Sequence, residues 1–330
     1  MAEPTILLTR DQINAQIDIV AAIPAIEEAM ATFEKGQDYL PPKAVMQIPV
    51  EAEGAFAACI TGYTRVSNLL SMKVGQERSD NPALGLPTTN SWIMAFNPDT
   101  GELMMICDGT LPTMYRTAAA AAVSTKHLSR TNATSLGVVG CGQLGRQCIR
   151  AISSVRPFRS ILVFDMVDAG ASRLVADLEG TVDAPIRAVD AETLCRESDV
   201  VVTATNSRTP IVQNDWIQPG THLCCMGADL DEKIECEMAL LTRCSLYADF
   251  IEHASQRGEA SQAIAKGLLK SNCYRGSLGA VINGDTPGRT DEGQITMYDG
   301  VGIGIQDTTI ARSIYDQAMA KGLGTKMCFS

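Results

Sequence analysis

Gly140, Gly142 and Gly145 stand at the spacing Gly-x-Gly-x-x-Gly, inside the run Ser135-Leu-Gly-Val-Val-Gly-Cys-Gly-Gln-Leu-Gly145. That spacing suits a pyrophosphate. Gly140 allows a tight turn, Gly142 lets the backbone approach the phosphates, and Gly145 lets the following helix pack closely on the strand. Gln143 and Leu144 open that helix, whose N-terminus offers N–H groups and the positive end of its dipole to an anion. A second apolar run, Ser160-Ile-Leu-Val-Phe-Asp165, ends in an acid about 20 residues further on, where a ribose-binding carboxylate belongs. Asp165 is followed by Met-Val-Asp, with no arginine before Arg173. A carboxylate facing the ribose repels a 2′-phosphate, so the pattern predicts NAD(H) rather than its phosphorylated form.

Other side chains have the chemistry to hold a small anion. Arg116 carries a guanidinium, which grips a carboxylate through two parallel hydrogen bonds and stays charged at any working pH. Lys73 follows an apolar strand start at Leu69, where a lysine is awkward unless it points into a cleft. Asp229 comes just after the run His222-Leu-Cys-Cys-Met-Gly227, at a strand's C-terminal end, where open α/β sheets put ligand contacts. An N-cap of the next helix is its alternative role. Thr205, Asn206 and Ser207 follow the run Asp199–Thr203 in the same way. Lys43, Arg65 and Arg78 are further candidate cations. His127, His222 and His253 are too scattered for a zinc site, so the chemistry is read as metal-independent. None of the eleven cysteines forms Cys-x-x-Cys, and they are read as reduced, buried thiols acting as small hydrophobes.

Two patterns of elements must position these groups. Up to about residue 130 the signals are mixed. Residues 17–35 read as an amphipathic helix, with Ile19, Ile23, Ile26 and Met30 at helical spacing. Residues 56–61 and 69–74 read as strands, and 91–96 with 103–107 as a hairpin about the turn Asn97-Pro-Asp-Thr-Gly101. Arg116 is read as the start of an alanine-rich helix to Leu128. From 131 to about 300, strands at 135–140, 160–165, 185–189, 198–203, 221–226 and 245–249 alternate with helical patterns. Such alternation means a parallel sheet covered on both faces. Residues 302–321 read as a long helix returning to the first domain. The expected fold is α/β: a Rossmann-type dinucleotide-binding domain over 131–301, and a discontinuous α+β substrate-binding and dimerisation domain over 1–130 and 302–330.

Bulk composition narrows the partners. The chain has 330 residues, enough for two domains of ordinary size. Its net charge of −11 argues against a nucleic-acid partner, which would need a basic patch. No apolar run approaches the length of a membrane span. Met1-Ala-Glu-Pro leads into a polar–apolar mixture rather than a secretory signal, which points to the cytoplasm.

Taken in order, several short motifs resemble those of the ornithine cyclodeaminase/μ-crystallin family, which also contains alanine dehydrogenases and imino-acid reductases. They are Pro41-Pro-Lys43, Ser71-Met-Lys73-Val, Asn81-Pro-Ala-Leu-Gly-Leu-Pro87, Asp108-Gly109 with Arg116-Thr-Ala-Ala119, the glycine turn, Thr203-Ala-Thr-Asn-Ser207, Gly227-Ala-Asp229 and Gly300-Val-Gly-Ile-Gly-Ile-Gln-Asp307. The resemblance covers nearly the whole chain. It implies a homodimer formed through the first domain and a nicotinamide dinucleotide bound by the second. It implies that Arg116 clamps the substrate's α-carboxylate and that Lys73 contacts the same group near the reacting carbon. Asp229 would meet the amino group and take part in proton transfer. Thr205, Asn206 and Ser207 would line the nicotinamide side, and Asp307 would close the site near the nicotinamide. Lys43 stands where many relatives have arginine, so it keeps the charge without the planar fork.

The implied activity is NADH-dependent reduction of a small 2-imino acid to an L-amino acid. Lys43, Lys73, Arg78 and Arg116 together favour a second negative charge on the substrate, which makes iminosuccinate to L-aspartate the sharpest reading. Tyr298-Asp-Gly-Val-Gly also resembles the Phe-Asp-Gly-Thr-Gly form of a subgroup linked to aspartate-related metabolism. Alanine dehydrogenase, cyclic-imine reductase and ornithine cyclodeaminase activities are the alternatives, and a μ-crystallin-like small-ligand binding protein is the non-enzymatic one. Ornithine-using relatives place an acid in the stretch that here reads Cys59-Ile-Thr-Gly-Tyr63, which has none; the nearest acids are Glu51 and Glu53.

Overall fold

The structure is a computed structural model that describes residues 4–48, 55–78 and 81–329. The chain divides into two units: Met1–Asp18, Glu28–Arg116 and Ile303–Ser330 make the first, Ile19–Glu27 and Thr117–Gly302 the second.

The first unit is built on a seven-stranded sheet. Its strands are β1 (Thr5–Leu8), β2 (Ala44–Gln47), β3 (Phe56–Thr64), β4 (Leu69–Glu77), β5 (Thr89–Phe96), β6 (Leu103–Asp108) and the C-terminal strand Thr325–Met327. Their order is Thr325–Met327, β1, β6, β5, β4, β3, β2, with only β1 and β6 parallel. Along β3 every second residue is buried, the alternation of a sheet covered on one face. Lys73 lies in register between Ile60 and Ile93, both buried, so it stands in the middle of that covered face.

Helix Gly304–Lys321 covers β3 and β4. Its first turn docks at Gly62, and a Cβ at Gly304 would collide with Thr61 O. Thr308 Oγ1 donates to Gly62 O at 2.9 Å and lies 2.7 Å from Ser71 Oγ. This close approach sets Asp307 against β4. Helix Thr110–Leu128 begins before the expected start at Arg116, so Arg116 sits inside the helix. Pro112 is tolerated because it falls in the first turn, where its missing N–H has no intrahelical partner. Asp108 Oδ1 accepts from Leu111 N at 3.2 Å and helps close that end.

The second unit holds an all-parallel sheet. Its strands are β7 (Ser135–Val139), β8 (Ser160–Phe164), β9 (Ile186–Ala188), β10 (Val200–Thr203), β11 (His222–Cys225), β12 (Cys244–Ala248), β13 (Tyr274–Ser277) and β14 (Ile295–Asp299). The order β13-β12-β14-β11-β10-β7-β8-β9 reverses direction between β7 and β10. In an open α/β sheet that reversal leaves a crevice beyond the strands' carboxyl ends. β13 and β14 were not foreseen from the sequence. The eleven cysteines are free, and seven are buried. Among the described residues no helix is long and apolar enough to cross a membrane.

Candidate active site

In the first unit the fold brings together Lys73 from β4, Arg116 from helix Thr110–Leu128 and Asp307 from helix Gly304–Lys321. Lys73 Nζ lies 2.9 Å from each carboxylate oxygen of Asp307 and donates to Thr113 Oγ1 at 3.2 Å. Arg116 Nε donates to Asp307 Oδ1 at 3.1 Å and its Nη1 to Gln306 Oε1 at 3.2 Å, while Nη2 takes no part in these bonds. All three charges are buried, at 4%, 7% and 1% exposure. Gln306 is buried beside them, and its Nε2 has no hydrogen-bond partner.

Burial, with Arg116 and Lys43 as neighbouring cations, brings the Lys73 ammonium down to about 8 against the opposing pull of Asp307. Burial alone would raise the Asp307 carboxyl, but Lys73 and Arg116 outweigh it and hold the group below the usual carboxylate range. Two cations thus share one carboxylate, which leaves the cluster with a net positive charge.

In the second unit a cavity of about 400 Å³ opens at the reversal point, lined at the β7 end by Gly140 and Gly142, at the β8 end by Asp165, and at the β10 end by Thr205, Asn206 and Ser207. Gly140 has φ +101°, a conformation that glycine adopts without strain. A Cβ on Gly145 would collide with Gly140 O, so its role is close packing of helix Gln143–Val155 against the turn. No side chain caps that helix at Gly142, and no acid stands in its first turn. Asp165 accepts from Cys141 N at 2.8 Å and from Val167 N at 2.9 Å, which fixes its carboxylate at the cavity rim. An open glycine turn, an uncapped helix N-terminus and a fixed rim carboxylate together fit a dinucleotide.

Asp229 lies beyond β11, and its Oδ1 accepts from Lys233 Nζ at 3.0 Å. The same ammonium reaches Asn206 Oδ1 at 3.3 Å. Lys233 is buried, with 3% exposure, and sequence reasoning passed over it. Its spacing of four residues from Asp229 was the available signal.

Not every expected site residue joins these groups. Asp307 is bonded to Lys73 and Arg116 in the first unit, where the docking of Gly304 on β3 sets it. Lys43 is close enough to act on Lys73. Arg78 lies past the end of β4, half-buried, and makes no bond with the Lys73 cluster. Arg65 is exposed in a turn. Glu51 and Glu53 fall outside the described residues. Glu77, buried on the same face of β4 as Lys73, is an acid that the sequence reading missed. Among the described residues no group of three or more His, Cys, Asp and Glu side chains is arranged to hold a metal ion.

Comparison with known proteins finds relatives along nearly the whole chain. An alanine dehydrogenase of Archaeoglobus fulgidus is 30% identical over 326 residues, covering 98% of each chain. An iminosuccinate reductase of Paracoccus denitrificans is 33% identical over 307 residues, covering 93% of this chain and 94% of that one. The solved structure of an archaeal alanine dehydrogenase dimer with bound NAD superposes with a TM-score of 0.94, at 29% identity over 99% of each chain. The family model described as ornithine cyclodeaminase/mu-crystallin matches residues 3–322. The chain belongs to the ornithine cyclodeaminase/mu-crystallin family.

Proposed function

We propose that this protein is an NADH-dependent reductase of a small 2-imino acid, giving an L-amino acid, with iminosuccinate to L-aspartate as the sharpest form. The observation that carries this reading is the buried Lys73–Asp307–Arg116 cluster, whose surplus positive charge calls for an anionic substrate. The unpartnered Gln306 amide beside it is a further donor for such a group. Lys43, near enough to act on Lys73, supports a second carboxylate on the substrate, as does the likeness to an iminosuccinate reductase. Asp165 supports NAD(H), as does the NAD bound in the alanine dehydrogenase neighbour. A homodimer, supported by that neighbour's dimer, and a location in the cytoplasm complete the reading.

In this account Arg116 and Lys73 fix the α-carboxylate and so restrict the imine to a near-attack geometry, which removes much of the entropic barrier. NADH supplies the hydride when bound. A proton on the imine nitrogen makes its carbon the better acceptor, and Asp229, oriented by Lys233, or Lys73 holds that proton. Because Lys73 titrates at about 8, substrate capture should weaken as pH rises through that value and the ammonium is lost. A pH profile of kcat/KM checks this: the wild type should show an alkaline fall that Lys73→Arg moves beyond the accessible range. An unchanged profile in the variant would separate the fall from Lys73.

Glu77 gives one observation in favour of a second reading, in which a buried acid on β4 meets a cationic side chain and ornithine is cyclodeaminated. NADH oxidation with ammonia and, in turn, oxaloacetate, pyruvate, glyoxylate and pyrroline-2-carboxylate separates the readings when ornithine plus NAD⁺ is run beside them. Fastest turnover with oxaloacetate, dependent on ammonia, is the expected result. Preference for pyruvate or the cyclic imine would remove the second carboxylate. Ammonia release from ornithine alone would replace the reductase reading.

A further inference from the structure

One wall of the dinucleotide cavity is held by a side chain that does not line it. Glu235 is fully buried, and its carboxylate accepts from Thr203 Oγ1 at 2.6 Å, Thr205 N at 2.7 Å, Thr205 Oγ1 at 2.7 Å and Gly227 N at 2.9 Å. Thr203 ends β10, Thr205 is part of the cavity wall, and Gly227 follows β11 just before Asp229. A single carboxylate therefore ties together the ends of two adjacent strands. A Cβ at Gly227 would sit 2.6 Å from Glu235 Oε1, so the turn has room for the carboxylate only because it is glycine.

Glu235 is held in its turn. Its own N–H donates to Glu259 at 3.0 and 3.1 Å, and Cys236 N donates to Glu259 at 2.6 Å. The N–H groups of Glu259 and Ala260 donate to Asp299 at 3.0 and 3.3 Å, and Tyr274 OH donates to Asp299 at 2.6 Å. Three buried carboxylates thus stand in series, and two of them grip the backbone that carries the next. Burial raises all three carboxyls above the ordinary range, Asp299 to about 7. Apolar side chains would fill such positions at less cost in desolvation, so stability alone does not account for the series.

We propose that Glu235 is a positioning residue for the nicotinamide half of the cofactor. It fixes the Thr205–Ser207 wall against the Gly227–Asp229 turn, and Glu259 and Asp299 hold it in place. The inference rests on the dinucleotide reading above and gives Glu235 no contact with cofactor or substrate.

Two variants test it. Glu235→Gln keeps the shape but turns an amide donor toward groups that are themselves donors. Thr203→Val preserves volume and removes one bond to Glu235, at a residue that does not line the cavity. Each is titrated with NADH by nicotinamide fluorescence and with ADP-ribose, which lacks the nicotinamide, by calorimetry. The NADH Kd should rise about tenfold or more in Glu235→Gln and about threefold in Thr203→Val, while that for ADP-ribose stays within about twofold. NADH affinity unchanged in both variants would overturn the proposal. Parallel loss of both ligands would overturn it too, by making Glu235 a general structural residue. Should Glu235→Gln fail to fold, the same contrast in Thr203→Val decides. Wild-type protein that binds neither ligand would overturn the dinucleotide reading itself, and this inference with it.

Discussion

Arg116→Ala is expected to lower kcat/KM by about a thousandfold or more while leaving the NADH Kd within about twofold. The guanidinium is held by Asp307 through Nε and by Gln306 through Nη1, so the rest of its fork is presented in a fixed direction. Removing it deletes a charge-assisted pair of bonds to the substrate carboxylate. It also leaves Lys73 as the sole cation bonded to Asp307, which draws that lysine's charge away from the substrate. Arg116→Lys keeps the charge without the fork and should recover only part of the loss. Steady-state kinetics and a fluorescence titration of NADH check the two halves separately. Loss of NADH binding in step with turnover would mean that the arginine is structural.

Asp307→Asn should destabilise the protein by about 3–5 kcal/mol. It removes the negative charge that both Lys73 and Arg116 face, and it leaves two buried cations without their shared partner. The thermal midpoint should fall on the order of 10 °C. The double variant Asp307→Asn with Lys73→Met should recover part of the loss, because one buried charge is then gone. Denaturant unfolding of the single and double variants measures the coupling. An Asp307→Asn protein as stable as the wild type would show that the three groups do not depend on one another.

The parts of this molecule that could be read in advance are those whose signals are local. The glycine turn, the strand before it and Asp165 lie within one short βαβ segment, so spacing alone was informative. The fully buried strands β10 and β11 announced themselves as short apolar runs. Less was legible where chemistry depends on distant partners. Asp307 meets Arg116 across 191 positions and Lys73 across 234, and nothing near it in sequence indicates that pairing. Glu235 meets Thr203 and Thr205 about one βα unit away, and the sequence reading stopped at Asp229. β13 is a short run of Tyr, Arg, Gly and Ser with no apolar period to mark it. Helix Thr110–Leu128 starts before Arg116, the residue where the alanine-rich pattern begins, because its first turn tolerates Pro112.

The most direct test of the central claim, hydride delivery to an imine carbon, is an isotope experiment. The enzyme is supplied with ammonia, the 2-oxo acid that supports the fastest NADH oxidation, and NADH deuterated at C4 in each epimer in turn. Mass spectrometry and NMR then locate the label. The account predicts an L-amino acid carrying deuterium at Cα with one epimer and none with the other. A labelled 2-hydroxy acid, or an amino acid formed without label from either epimer, would contradict it.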